Sequence, residues 1–117
     1  MKTVDHIINN NGLLRINLSN LSDNYSFISE FVKPSRVASV LKSNSYGLGL
    51  EKVAKKLLGL GCKDFFLTSF EEAFALKKIT SKGNVILLNG IIGQSEKKMY
   101  DIFKSKIIPV INSLNEL

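Results

Sequence analysis

The feature that most constrains this chain is an alternation, from Val37 onward, of short apolar or β-branched runs with segments of helical period. A first run near residues 37–42 follows Pro34-Ser35 and reads as a strand. Gly49 to Leu60 then places Leu50, Val53, Ala54, Leu57 and Leu58 on one face, the spacing of a core-facing helix. Gly59 and Gly61 stand where a helix end favours a residue at positive φ. Asp64–Thr68 is the second strand-type run, and Ser69 with Glu72 forms a capping box opening a helix with Phe70, Ala73, Phe74 and Leu76. Val85–Leu88 reads as a strand buried on both faces. A weaker helix over Ser95–Lys104 turns Met99, Ile102 and Phe103 inward, and Ile107–Ile111 is the fourth strand. Unalternated strands separated by helices predict a parallel sheet with helices outside. Right-handed crossovers narrow this α/β class to an open doubly wound sheet or a (β/α)8 barrel. Units recurring every 20 to 30 residues suit either, so periodicity leaves that choice open.

The first 35 residues differ. Leu14 to Leu18 alternates like a half-exposed strand, and Ser19 can cap a helix with Leu21, Tyr25, Ile28 and Val32 on one face. Pattern alone does not place this strand in the same sheet. At the other end, Ser113 and Glu116 form a second capping box with only Leu117 beyond it. The expectation is a sequence cut before the helix it announces, at a chosen boundary or in a split or truncated gene.

Composition removes several function classes. No apolar run approaches the roughly 20 residues a membrane helix needs. Met1–Asn11 lacks the apolar stretch and small cleavage-site residues of a signal peptide, so a cytoplasmic chain is expected. Cys62 is the only cysteine, which excludes an intrachain disulfide. The net charge of +6 raises the question of nucleic acid, but the lysines are scattered over three helices and not interleaved with aromatics. A solvated helix face accounts for them. His6 reads as a surface residue of a polar leader, and Cys62 as a small buried hydrophobe. Asp64, Glu71 and Glu72 are not a spaced carboxylate pair for metal or glycoside chemistry, and capping accounts for Glu72.

Leu41-Lys42-Ser43-Asn44-Ser45-Tyr46-Gly47-Leu48-Gly49 carries the chemistry. It puts a lysine at the C-terminal end of a buried strand, the end that faces the ligand in parallel α/β folds. A lysine there can form a Schiff base with an aldehyde cofactor. The Tyr46 hydroxyl can donate to a phosphate near the following helix N-terminus, whose free N–H groups favour an anion. Gly47 and Gly49 permit a tight turn and close approach of a ligand. By position alone the signal is weak, because a lysine ending a strand is most often a solvated flank.

The residues around it add weight. The segment is similar to the alanine racemase signature, in which a strand of the type A-V-V-K runs into A-N-A-Y-G-H-G. Here the lysine, asparagine, tyrosine and both glycines stand in the same order and spacing. Phe66 to Ala73 with Leu76 resembles the family's next strand and its Glu-Ala-x-x-Leu helix start. Val85–Gly90 and Ile108–Ile111 with Leu114 resemble the two strands after it. Ile16 to Leu21 with Asn24-Tyr25 looks like the family's opening I-D-L-x-A-L-x-x-N-Y. The likeness runs from about Leu14 to the last residue. Ser43, Ser45 and Asn20 stand where the family has alanine, and Leu48 where it has histidine.

The resemblance implies a fold-type III enzyme that uses pyridoxal 5'-phosphate (PLP) to interconvert L-alanine and D-alanine for peptidoglycan, a cytoplasmic homodimer acting on a small molecule. It implies a (β/α)8 barrel of the TIM type, with residues 36–117 its first half of about four βα units. Residues 1–35 would be an N-terminal strand and helix, the strand joining a C-terminal β domain. By match of position, Lys42 would hold the cofactor and exchange a proton on the D-alanine face of Cα. Tyr46 would bind the phosphate. The opposite-face tyrosine lies in the family's C-terminal domain and reaches in from the partner subunit, so residues 1–117 are expected to be inactive alone. Val40 and Leu88 fall at positions that line the cofactor in the family, although core packing accounts for either. Two other readings stand: a non-catalytic PLP-binding barrel, against which Tyr46-Gly47-Leu48-Gly49 argues, and a non-functional remnant of a split gene.

Overall fold

The computed structural model describes residues 3–8 and 12–117, with side chains from Gly12 onward. The chain divides into two compact units, Met1–Val37 and Ala38–Leu117.

In the first unit β1 (Thr3–Ile8) pairs antiparallel with β2 (Gly12–Asn17), in register from Thr3 opposite Asn17 to Ile8 opposite Gly12. β1 was not expected from the sequence, where Met1–Asn11 reads as a polar leader. The His6 side chain lies outside the described residues. Helix α1 (Leu18–Phe31) begins earlier than expected, because Asn17 and not Ser19 is its cap: the Asn17 Oδ1 accepts the N–H groups of Ser19 (2.9 Å) and Asn20 (3.2 Å). An asparagine side chain at that position satisfies two of the amides left open at a helix start. Among the described residues β2 forms a two-stranded sheet with β1.

The second unit is a four-stranded parallel sheet in the order β3 (Ser39–Val40), β4 (Asp64–Leu67), β5 (Asn84–Leu87), β6 (Ile107–Pro109). Helices α3 (Leu50–Gly59), α4 (Phe70–Ile79) and α5 (Glu96–Lys104) connect successive strands. Phe65, Leu67, Val85, Leu87 and Ile107 fill one face of the sheet and are buried, with Val53, Ala54, Leu57, Ala73, Leu76 and Ile102 from the helices. Cys62 is buried beside them, as expected of a small hydrophobe. On the other face, register aligns Val40, Phe66, Ile86 and Ile108 in one row across all four strands. None of these four is buried, and Val40 and Ile108 are exposed.

That asymmetry decides what periodicity left open. Strands in sequential order with right-handed crossovers put every helix on one side. A doubly wound sheet reverses its strand order and covers both faces. Here the order never reverses and the helix-free face is apolar, which is the wall of a (β/α) barrel seen from inside. Val85–Leu87 is therefore buried on one face in this chain, and Val40 is exposed at the wall and not core. Leu88 is half-buried.

Smaller departures have local causes. Of the two glycines expected at the end of α3, only Gly61 takes positive φ (92°), since Gly59 completes the helix. Phe103 points outward, because Ile102 alone takes the buried position at that turn of α5. The Ser113–Glu116 box does not form: Leu114–Glu116 is a 3-10 turn, and Ser113 makes no side-chain capping bond. A single tight turn offers the hydroxyl no row of free amides, and the Glu116 carboxylate binds loop amides instead.

Candidate functional site

The C-terminal ends of the strands carry the site. β3 is only two residues long; Leu41 extends it by donating its N–H to Phe66 O (2.9 Å). Lys42 comes next, half-buried, and opens the short helical segment α2 (Lys42–Tyr46). This segment is left-handed. Ser43, Asn44 and Ser45 have φ, ψ of 54°, 52°; 53°, 46°; and 55°, 49°, and Tyr46 has φ 55°. In L-residues that conformation crowds Cβ against the next carbonyl oxygen, at about 1–2 kcal/mol each. Only Asn44 is of a type that visits it readily.

Hydrogen bonds close the segment from both ends. Ser45 N donates to Leu41 O (2.9 Å) at the near end; at the far end Gly47 N donates to Ser43 O (2.9 Å), Leu48 N to Ser45 O (3.1 Å) and Gly49 N to Asn44 O (2.9 Å). Gly47 (φ 84°) and Gly49 (φ 94°) carry the positive φ needed to turn from the left-handed segment into α3. Asn44 Oδ1 accepts Leu50 N–H (2.8 Å). The first amide of α3 is thus already taken, and the open helix N-terminus expected for an anion is partly filled by Asn44.

Among the described residues, neither the Lys42 amine nor the Tyr46 hydroxyl has a hydrogen-bond or ion-pair partner. Tyr46 is 62% exposed, on the same turn as Lys42. The sequence-expected pair is therefore on one turn at the mouth of the barrel wall. Both polar ends are unengaged and suit an aldehyde that condenses with an amine and a phosphate that accepts from a phenol.

Sequence reasoning missed two further groups at this end. Glu72 joins the cap of α4 through its backbone N–H, which donates to Ser69 Oγ (3.2 Å). Its carboxylate accepts the N–H groups of Asn44 (2.6 Å) and Ser43 (3.2 Å) and the Ser69 hydroxyl (3.3 Å). Glu116 is the second. Its carboxylate accepts the Asn112 and Ile92 N–H groups and ties the loop after β5 to the residues after β6. The Asn112 N–H, foremost, holds the Glu116 carboxyl below its ordinary range, against the opposing effect of burial. Gly90 makes the close approach possible: a Cβ there would lie 2.5 Å from both Glu116 Oε1 and Val110 O.

A cleft of about 410 Å3 lies away from these loops, lined by Phe74, Lys77, Lys78, Thr80, Ser81, Ser105 and Lys106. Burial, and then the charge of Lys106, lowers the Lys77 amine below its ordinary range. The carboxyl ends of α4 and α5 meet here, and lysines there offset the helix dipoles.

A parallel barrel wall with a partnerless lysine and a tyrosine on one strained turn at its C-terminal mouth defines a class: a (β/α)-barrel domain with an amine and a phenol at the strand ends. The family is narrower. A model of the family described as alanine racemase, N-terminal domain, matches residues 16–117. The chain belongs to that family. It is 37% identical over 107 residues to an alanine racemase of Brucella ovis, covering 91% of this chain and 26% of the relative. It is 36% identical to alanine racemase 3 of Salmonella typhi, covering 91% and 28%. The crystal structure of alanine racemase from Bartonella henselae, with covalently bound pyridoxal phosphate, superposes with a TM-score of 0.78 at 34% identity, over 86% of this chain and 28% of that one. Alanine racemase from Acinetobacter baumannii shares the fold, with a TM-score of 0.76 at 22% identity over 86% of this chain and 27% of that one. The chain spans about a quarter of the length of the relatives it matches.

Proposed function

We propose that this chain supplies the cofactor-holding part of an enzyme that interconverts L-alanine and D-alanine. Lys42 is the residue that binds pyridoxal 5'-phosphate covalently, and Tyr46 binds its phosphate. The observation that carries the reading is the Lys42 amine, partnerless among the described residues at the strand end that faces ligands in this fold. The family supports it, since a solved member carries the cofactor covalently. The bound cofactor supplies an electron sink for the charge left when Cα loses its proton. The chain's own residues do the rest. The Lys42 amine takes a proton from, and returns one to, a single face of Cα. The Tyr46 hydroxyl donates to the phosphate, and Val40, exposed on the wall two residues before Lys42, offers an apolar contact. Residues 36–117 then act as the first half of the barrel. The same resemblance supports a cytoplasmic homodimer that provides D-alanine for peptidoglycan.

The test is to load the protein with the cofactor, reduce with borohydride and map the labelled peptide. Label on Lys42, and its loss in Lys42→Ala, is the expected result; label on another lysine would overturn the assignment. A polypeptide of residues 1–117 by itself is expected not to racemise alanine. Inversion needs a proton-transfer group on each face, and Lys42 serves one. A missing acid–base group costs about 10²–10⁴-fold in rate. Turnover by residues 1–117 that depends on Lys42 and clearly exceeds free cofactor would refute this.

A further inference from the structure

We infer that Glu72 is a positioning residue for Lys42 and Tyr46: from the first turn of α4, its carboxylate holds the start of the left-handed turn that carries both. Their assignment as cofactor ligands is the reading proposed above, on which this inference rests.

The far end of the turn is held by its own backbone, through the bonds from Gly47, Leu48 and Gly49. The near end has one such bond, from Ser45 N–H to Leu41 O (2.9 Å), and the amides before it have none from the backbone of the turn. As at the start of any helix, the first amides have no acceptor within the segment. Those amides are Ser43 N–H and Asn44 N–H, directly after Lys42, and the Glu72 carboxylate accepts both, at 3.2 and 2.6 Å. The acceptor is charged, so these bonds are of the stronger kind. It also comes from outside the turn, from the helix that follows the neighbouring strand β4. Four consecutive non-glycine residues at φ near +54° persist only where the surroundings over-determine them. Glu72 is the described side chain that reaches this turn from another element. The cap of α4 takes the Glu72 N–H onto Ser69 Oγ, and the carboxylate, which also accepts the Ser69 hydroxyl (3.3 Å), still reaches both amides.

The consequence is specific. Without the carboxylate, the turn is free to relax toward negative φ. The Lys42 amine and the Tyr46 hydroxyl would then lose their fixed spacing while the sheet below stays intact.

The test compares the full chain with Glu72→Ala and the isosteric Glu72→Gln, following amide exchange residue by residue and, separately, borohydride trapping of limiting pyridoxal phosphate at Lys42. In Glu72→Ala, exchange at Ser43 and Asn44 should rise roughly tenfold or more. Leu88, whose N–H bonds Leu67 O between β4 and β5, is the control and should not change. Trapping at Lys42 should fall in parallel. Glu72→Gln keeps one acceptor oxygen and should protect one of the two amides, with intermediate trapping. Unchanged exchange at Ser43 and Asn44 in both variants overturns the inference. So does equal acceleration at Leu88, which would make Glu72 a support of the whole fold, and so does faster exchange with trapping undiminished. Should the wild-type chain carry the reduced cofactor on another lysine, the assignment of Lys42 fails, while the exchange comparison still decides whether Glu72 holds the turn.

Discussion

Ser45 offers a test of the strained turn that separates its two costs. The residue is 2% exposed, its Oγ has no hydrogen-bond partner among the described residues, and its φ is 55°. A buried hydroxyl left without a partner costs about 1–3 kcal/mol. Ser45→Ala removes the hydroxyl and keeps Cβ, so the conformational cost stays and only the polar cost goes. The expected gain is about 1 kcal/mol, the low end, because the oxygen also gives up its packing contacts. Ser45→Gly removes the Cβ crowding as well, worth about 1 kcal/mol. It also frees the unfolded chain, at a cost of about 0.5–1 kcal/mol. The two variants should therefore lie within about 0.5 kcal/mol of each other, the difference of those last two terms. Ser43→Ala is the control: Ser43 shares the backbone geometry but is exposed, so its stability should move by less than about 0.5 kcal/mol. Urea unfolding gives the free energies directly. By heat, 1 kcal/mol corresponds to a rise in Tm of about 4–8 °C for a unit of this size. A Ser45→Ala variant less stable than the parent would refute the reasoning, because the hydroxyl would then be making a bond of net value.

Two further outcomes follow from the loop after β5. Gly90→Ala should cost about 2 kcal/mol or more by urea unfolding, since its φ is +64° and the new Cβ would meet the Val110 carbonyl at 2.5 Å. Glu116 should leave an acid signature. Its folded pKa is lowered, foremost by the Asn112 N–H, so its contribution is complete above the ordinary value of 4.5 and drains away as pH falls through the lower folded value. Glu116→Gln should flatten that acid limb of the stability curve, and a curve unchanged below pH 4.5 would remove Glu116 from it.

Much of the second unit could be read from period alone. Leu50, Val53, Ala54 and Leu57 bury where helical spacing puts them, and Phe65, Leu67, Val85 and Leu87 where strand runs put them. Barrel and open sheet could not be told apart, because the distinction lies in the row Val40, Phe66, Ile86 and Ile108, and these are apolar in either fold. β1 was invisible because Thr3–Ile8 has no clean alternation, and pairing with β2 supplies the order that its own sequence does not. Lys42 and Tyr46 were legible as a motif, but their geometry was not. Ser-Asn-Ser-Tyr contains one residue with a preference for positive φ, so local propensity predicts neither the hand of the turn nor its length. Glu72 was concealed by a correct partial reading. The capping box accounts for its backbone N–H, and nothing in the spacing Ser69-x-x-Glu72 says where the carboxylate goes.

Those two failures are connected. A sequence specifies its structure most plainly where local preference and tertiary contact agree, and departs from local preference where a site needs a particular geometry. The turn after Lys42 sets three residues of poor left-handed preference, and Asn44, into one conformation. The groups that hold it are Gly47, Gly49, the Asn44 amide oxygen and a carboxylate that stands 29 and 28 residues along the chain from the two amides it accepts. Contacts of that range leave no periodic trace. The lysine at the strand end is thus set by a local motif, while the conformation that presents it depends on the next βα unit being folded beside it. Changes confined to α4 should reach Lys42 through Glu72 without touching the motif itself.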